Sequence, residues 1–262
     1  MRDLLNDISE GLSHPDPARR AQIQMRKPLP KRFYKDVGIA ESDDGLFAIT
    51  LDGKQLKTPA RQTLAVPTKA LAQLIAAEWQ KQADVIDPGT MPVTRLVNTA
   101  LDGVAAESQA VFEDVLRFSA TDLLCYRAES PMALVARQTE RWDPILDWAA
   151  NELSARFILA EGVMHQEQPR EAIAAFGVAL GRHDTALALA SLHTMTTLTG
   201  SALLALAFAE GRLPLDEAWS LAHLDEDWTI ERWGSDEEAE QRWAKRFEEF
   251  QAAADVFSAL RS

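Results

Sequence analysis

The stretch SDDGLFAITLDGKQLKTP, residues 42–59, decides how the chain begins to fold. Phe47, Ile49 and Leu51 alternate with Ala48, Thr50 and Asp52, the two-residue period of a half-buried strand. Turn signals bracket that strand. Ser42-Asp43-Asp44-Gly45 precedes it, and Asp52-Gly53 follows it with the positive φ angles that a two-residue hairpin needs. Residues 55–58 and 63–66 read as further short strands. Pro59 and Pro67 have no N–H to give a ladder, so they confine those strands to edges and ends. Residues 31–67 therefore predict a small antiparallel sheet.

Towards the C-terminus the period changes from two to 3.6. Thr68 can cap a helix over 69–83 that places Leu71, Leu74, Ile75 and Trp79 on one face. Asp87-Pro88-Gly89 forms a link. Helices are then expected near 91–106, 107–120, 131–156, 169–181, 184–198, 199–211, 214–223 and 235–258, with Gly and Pro at most boundaries. No fixed-period repeat runs through the chain, which argues against a solenoid. The expected fold class is α+β: a small antiparallel β-rich N-terminal domain (31–86), then a larger all-helical C-terminal domain (87–262). Residues 1–30 read as an arm with a short helix near Arg2–Ile8.

Composition narrows the function. The chain has 262 residues, 47% hydrophobic and 26% charged, with a net charge of −13. That sign argues against sequence-independent nucleic-acid binding, which needs cations to displace counterions from phosphates. The charge is uneven. Residues 1–35 hold eight Lys/Arg and four Asp/Glu, whereas residues 225–249 hold ten Asp/Glu and four Lys/Arg. Either end could meet a partner of opposite sign. No apolar run reaches the roughly 18 residues of a membrane span. The longest, Thr199 to Ala209, reads as a core helix, and no membrane insertion is expected. The N-terminus lacks an apolar signal region, and the single Cys125 fits a reducing compartment. A bacterial cytoplasm is the expected location, or a mitochondrial matrix for a eukaryotic source.

Enzyme motifs fail in turn. Gly53-Lys54 lacks the earlier glycine of a phosphate loop and is followed by Gln55. Gly200-Ser201 has no nucleophile-elbow frame. His183-Asp184 resembles the His-Asp pair of helical metal-dependent phosphohydrolases, which would need His165 or His193 and a distant Asp besides. The plainer reading makes Asp184 the cap of a helix starting at Thr185. Apolar and acidic neighbours mark Cys125 as a buried structural thiol. Trp79, Trp142, Trp148 and Trp219 fit helix cores. Trp228, Trp233 and Trp243 lie amid acidic residues, where aromatics serve either as interface anchors or as pins onto the protein's own core.

Six segments in order carry a family resemblance. They are Lys31-Arg32-Phe33-Tyr34-Lys35; Leu51-Asp52-Gly53-Lys54 running into Leu56-Lys57-Thr58-Pro59; Ala77-Glu78-Trp79-Gln80-Lys81-Gln82; Met91-Pro92-Val93-Thr94-Arg95; Thr121-Asp122-Leu123-Leu124-Cys125-Tyr126-Arg127; and Leu224-Asp225-Glu226-Asp227-Trp228 with Ile230-Glu231-Arg232-Trp233-Gly234. Together they resemble the family called ATP synthase assembly factor two or assembly factor twelve. Thr229 departs from the family's glutamine, and Asp225 and Trp228 depart conservatively. The resemblance implies a β-rich domain followed by a helical one, in a chaperone without enzymatic activity or cofactor. It implies binding to the unassembled alpha subunit of the F-type ATP synthase, as a monomer fitting a one-to-one escort. It points to Asp225, Glu226, Trp228, Glu231 and Trp233 as client-binding residues, and to Asp52, Gly53 and Trp79 as structural ones. Glu226 and Glu231, five apart, do not share a helix face, so a bend toward Gly234 would be needed to align them. The alternatives are the His183-Asp184 hydrolase and an interaction module with another client.

Overall fold

The computed structural model describes residues 28–162 and 166–261. Nearly all of the arm read at 1–30, together with His14 and His165, lies outside them. The described chain is α+β, a small antiparallel sheet followed by helices. Backbone contacts divide it into two compact units. One runs to Gly103 and takes in Ala259–Ser262; the other is Val104–Ser258.

In the first unit, β1 (Val37–Glu41) pairs antiparallel with β2 (Phe47–Leu51), with Ile39 opposite Ile49. Strands β3 (Lys54–Gln55) and β4 (Ala65–Val66) also pair with β2. The hairpin between β2 and β3 turns on Asp52 (φ 49°) and Gly53 (φ 76°), the two positive angles of a type I′ loop. The Asp52 carboxylate also accepts from the N–H groups of Lys35 and Asp36, at 3.0 and 2.9 Å, and so fixes the chain entering β1. Two expectations need adjusting. The strands read at 55–58 and 63–66 shrink to two residues each, with Lys57 and Thr63 joined by an isolated bridge. The strand read as half-buried is enclosed on both faces from Ala48 to Leu51, where Ala48 and Thr50 are small enough to be covered.

Helix α1 (Lys69–Lys81) starts where Thr68 Oγ1 accepts from the Leu71 N–H, at 3.2 Å. It buries Leu71, Ala72 and Ile75. Trp79 is only half-buried, against the cluster of Tyr34, Leu51, Ile86 and Met91. Helix α2 (Pro92–Thr99) has no side-chain cap of its own, since Met91 precedes it. Glu78 of α1 supplies one, accepting from the Val93 and Thr94 N–H groups at 2.8 and 2.7 Å. After α2 the backbone widens into a π turn at Ala100–Val104, where Asp102 accepts from Thr58 Oγ1 (2.6 Å) and the Ala60 N–H (2.9 Å). The helix expected at 91–106 is thus an α and a π segment.

The second unit contains α3 (Ser108–Ser119), the pair β5 (Tyr126–Arg127) and β6 (Ala160–Glu161), α4 (Met132–Glu152), α5 (Arg170–Leu180), α6 (Ala186–Thr199), α7 (Ala202–Ala209), α8 (Leu215–Ala222), α9 (Leu224–Trp233) and most of α10 (Glu237–Ala259). Helix α7 is apolar all round and α6 is buried along most of its length, and together they form the centre of the unit. A correction falls at the start of α6: Thr185, not Asp184, is the cap, accepting from the Ala188 N–H. Asp184 ends the preceding 3₁₀ turn.

The reversal between α6 and α7 is buried, so its polar groups must find partners inside. Gly200 (φ 70°) ends α6, and Ser201 caps α7. Asp122, fully buried, accepts from Ser201 Oγ (2.7 Å), the Leu203 N–H (2.9 Å) and the Leu124 N–H (3.1 Å). Leu123 N–H donates to the Gly200 carbonyl. The segment 121–127 is therefore a polar plug for a buried helix turn. Burial pushes the Asp122 carboxyl up to about 6 despite these donors. Cys125 beside it is fully buried, and its thiol is pushed up to about 12, first by desolvation and then by Asp122. It is a packing residue.

Candidate protein-binding surface

The surface is built on α9, a helix absent from the sequence reading of segment 224–234. Three acids, Asp225, Glu226 and Asp227, occupy its first turn, where the helix dipole favours them. Gly234 (φ 78°) ends it, donating its N–H to the Ile230 carbonyl at 2.8 Å. The helix is continuous from Leu224 to Trp233, so no bend unites Glu226 and Glu231; at 100° per residue they lie about 140° apart.

Helix α4 anchors one face of α9. Gln138, buried, donates Nε2–H to Asp225 Oδ1 at 2.8 Å while its Oε1 accepts from the Ala128 N–H. Arg137 makes a bidentate pair with Glu231, at 2.7 and 2.8 Å. That hydrogen-bonded guanidinium holds the Glu231 carboxyl below its usual range. Trp228 carries the Arg232 guanidinium 3.1 Å from its ring centroid, with Arg137 at 5.8 Å. Three of the five client-binding candidates, Asp225, Trp228 and Glu231, thus have partners within the unit.

The other two lie elsewhere on the helix. Glu226, Thr229, Ile230 and Trp233 follow the i, i+3, i+4, i+7 spacing of a single stripe, and all four are exposed. Trp233 is 84% exposed and Ile230 42%. Ile230 was not singled out from the sequence. Its signal was there in the spacing from Glu226 to Trp233, which becomes visible only once 224–233 is taken as one helix.

Neighbouring α8 and α10 complete the region. Trp219 is buried beneath Trp243, Phe247 and Phe250, with ring centroids 5.1–5.5 Å away. His223 lies on Trp219 at 3.9 Å and faces the Trp219 carbonyl through Nδ1, which donates at 2.9 Å. Burial lowers its affinity for a second proton. Trp243 pins α10 to this core yet stays 40% exposed. The histidines of the hydrolase alternative are committed singly: His183 Nε2 lies 3.0 Å from Glu210, and His193 Nε2 2.8 Å from Asp114. Among the described residues, no three His, Cys, Asp or Glu side chains gather as metal ligands.

A helical unit bearing an exposed acidic and aromatic stripe suits binding to another protein. Comparison with known proteins gives the class. The sequence model described as ATP12 chaperone protein matches residues 31–150. The chain is 26% identical over 237 residues to the mitochondrial protein atp12 of Schizosaccharomyces pombe, covering 85% of this chain and 80% of that one. A candidate chaperone from Agrobacterium tumefaciens has the same fold, with TM-score 0.88, 66% identity and coverage of 99% and 97% of the two chains. Atp12 from Paracoccus denitrificans superposes with TM-score 0.81 at 40% identity, covering 88% of this chain and 98% of that one. The chain belongs to the ATP12 chaperone family.

Proposed function

We propose that this protein is an assembly chaperone of the F-type ATP synthase. It binds the unassembled alpha subunit, prevents its aggregation and releases it to the catalytic ring. Family membership supports the class, and the observation that carries the site is the exposed stripe of α9. A subunit awaiting its neighbour exposes apolar surface that aggregates. A holdase masks that surface by mass action and needs no hydrolysis.

On this reading Glu226, Ile230 and Trp233 meet the client. Trp233 supplies a large apolar anchor, and Glu226 sets register and on-rate against basic groups. Asp225, Trp228 and Glu231 hold α9 on α4 so that the stripe is presented on a rigid element. The protein works as a monomer in the compartment where the alpha subunit awaits assembly.

Co-purification with isolated alpha subunit tests the reading, together with a light-scattering assay of alpha-subunit aggregation. Glu226→Lys is expected to remain folded, because its side chain is exposed, and to lose binding at least tenfold. Equal binding by both proteins would remove Glu226 from the contact.

A further inference from the structure

We infer that a cleft formed by α8, α9 and α10 receives an arginine or lysine side chain of a polypeptide partner. The inference deepens the chaperone reading and rests on it for the identity of that partner. The cleft has a volume of about 330 Å³ and is lined by Asp216, Trp219, Ser220, Asp227, Trp243 and Phe247. It is separate from the exposed stripe of α9.

Its walls are aromatic and its charged residues are acidic. Trp243 lies nearly parallel to Phe247, at 10° and 5.9 Å, and 40% of it remains exposed. An indole face attracts cations through its quadrupole. On α9 the protein satisfies such a face internally, with Arg232 over Trp228. No cation stands over Trp243 among the described residues. Asp216 and Asp227 have no ion-pair partner among them either, and Arg137, whose charge Asp227 feels, is committed to Glu231.

These features select the occupant. An anion would meet two carboxylates in a stretch of net negative charge. An apolar side chain would strip water from both carboxylates and return nothing. A guanidinium or ammonium satisfies the aromatic face and the acids together. Trp219 adds an independent observation: its Nε1–H is buried and has no acceptor among the described residues. A polypeptide brings main-chain carbonyls, the acceptor type that this donor lacks.

Indole N–H resonances of the full ¹⁵N-labelled chain test the cleft directly. N-acetyl-arginine amide is the probe, and N-acetyl-citrulline amide its neutral counterpart. The Trp243 and Trp219 resonances are expected to move saturably with the arginine derivative and to stay in place with citrulline. Asp216→Asn combined with Asp227→Asn should weaken the response about threefold or more. Equal responses to both compounds, no response to arginine, or an unweakened double variant would each overturn the inference. A second arm uses the alpha subunit with Trp243→Leu and with Asp216→Asn, the latter removing charge at an exposed rim without disturbing the aromatic packing. Unchanged alpha-subunit binding by both variants overturns the inference and leaves the client standing. An arginine response in a protein that binds no alpha subunit overturns the client and leaves the cleft.

Discussion

At the scale of single residues, the two most informative side chains are Asp122 and Trp79. Asp122 concentrates three hydrogen bonds on one buried carboxylate. Asp122→Ala leaves those donors unsatisfied in the core, and a loss of about 3 kcal/mol or more is expected in denaturant unfolding. The carboxyl also makes stability depend on pH. Its folded value, about 6, lies above the unfolded one, so the folded state holds this proton more tightly. The stabilisation is complete below the unfolded value near 4 and is lost as pH rises through 6, a span worth about 3 kcal/mol. Unfolding curves at pH 4–7 should show that slope in the difference between the wild type and Asp122→Asn; a pH-independent difference would contradict it. His223 acts oppositely: burial favours its neutral form, so its contribution is lost as pH falls below about 6.5. Trp79 receives the Tyr34 O–H on its carbonyl at 2.7 Å and packs its ring on Tyr34. Trp79→Arg brings a charge against an apolar cluster and is expected to cost several kcal/mol, read as a fall in Tm. An unchanged Tm would make Trp79 a surface residue. Trp79 was legible as a structural residue from its place on the apolar face of 69–83, whereas Asp122 was not legible beyond residue type. The sequence presents Asp122 as one more acid, because nothing local says that the turn at Gly200-Ser201 is buried against it.

At the scale of elements, local chemistry was readable where it was self-contained. Thr68 caps α1 and Asp52-Gly53 turns the hairpin, as their spacing predicts, because each device uses only neighbouring residues. Capping from a distance was not readable, since Glu78 caps α2 from another helix; the local cap of α6 was misplaced by one residue, from Thr185 to its equally suitable neighbour Asp184. Helix α9 was missed for a related reason. Its residues are acidic and aromatic without a clean apolar face, and what orients it is α4, through Arg137 and Gln138. The split of α9 into an anchored face and an exposed stripe carries a prediction. Ile230→Ser and Trp233→Ala should leave stability within about 0.5 kcal/mol, since both side chains point to solvent, while weakening alpha-subunit binding at least tenfold together. Glu231→Gln should do the reverse only slightly: it loosens an exposed ion pair whose attraction is screened by water and salt. Thermal unfolding and binding assays on the same preparations separate the two faces. A large stability loss for the stripe variants would mean that the stripe belongs to the fold.

At the scale of the whole molecule, the fold class and family were legible because they rest on the order of many segments rather than on any single contact. The proposed site rests on a stretch that the sequence marks as acidic and aromatic. Five residues were marked in one stretch; the structure gives Asp225, Trp228 and Glu231 partners within the unit and leaves Glu226 and Trp233 exposed on the other face. The net charge of −13 gives the molecule a long-range preference for basic partners. Much of the proposed attraction is between exposed charges, so binding should weaken as salt is raised from 50 to 500 mM while the apolar contribution of Trp233 persists. The most direct measurement is titration of isolated alpha subunit with the wild-type protein and with Glu226→Lys, Trp233→Ala. The account predicts saturable one-to-one binding and suppressed aggregation by the wild type, with both lost in a variant whose Tm is unchanged. A wild type that neither binds the alpha subunit nor slows its aggregation would contradict the central claim.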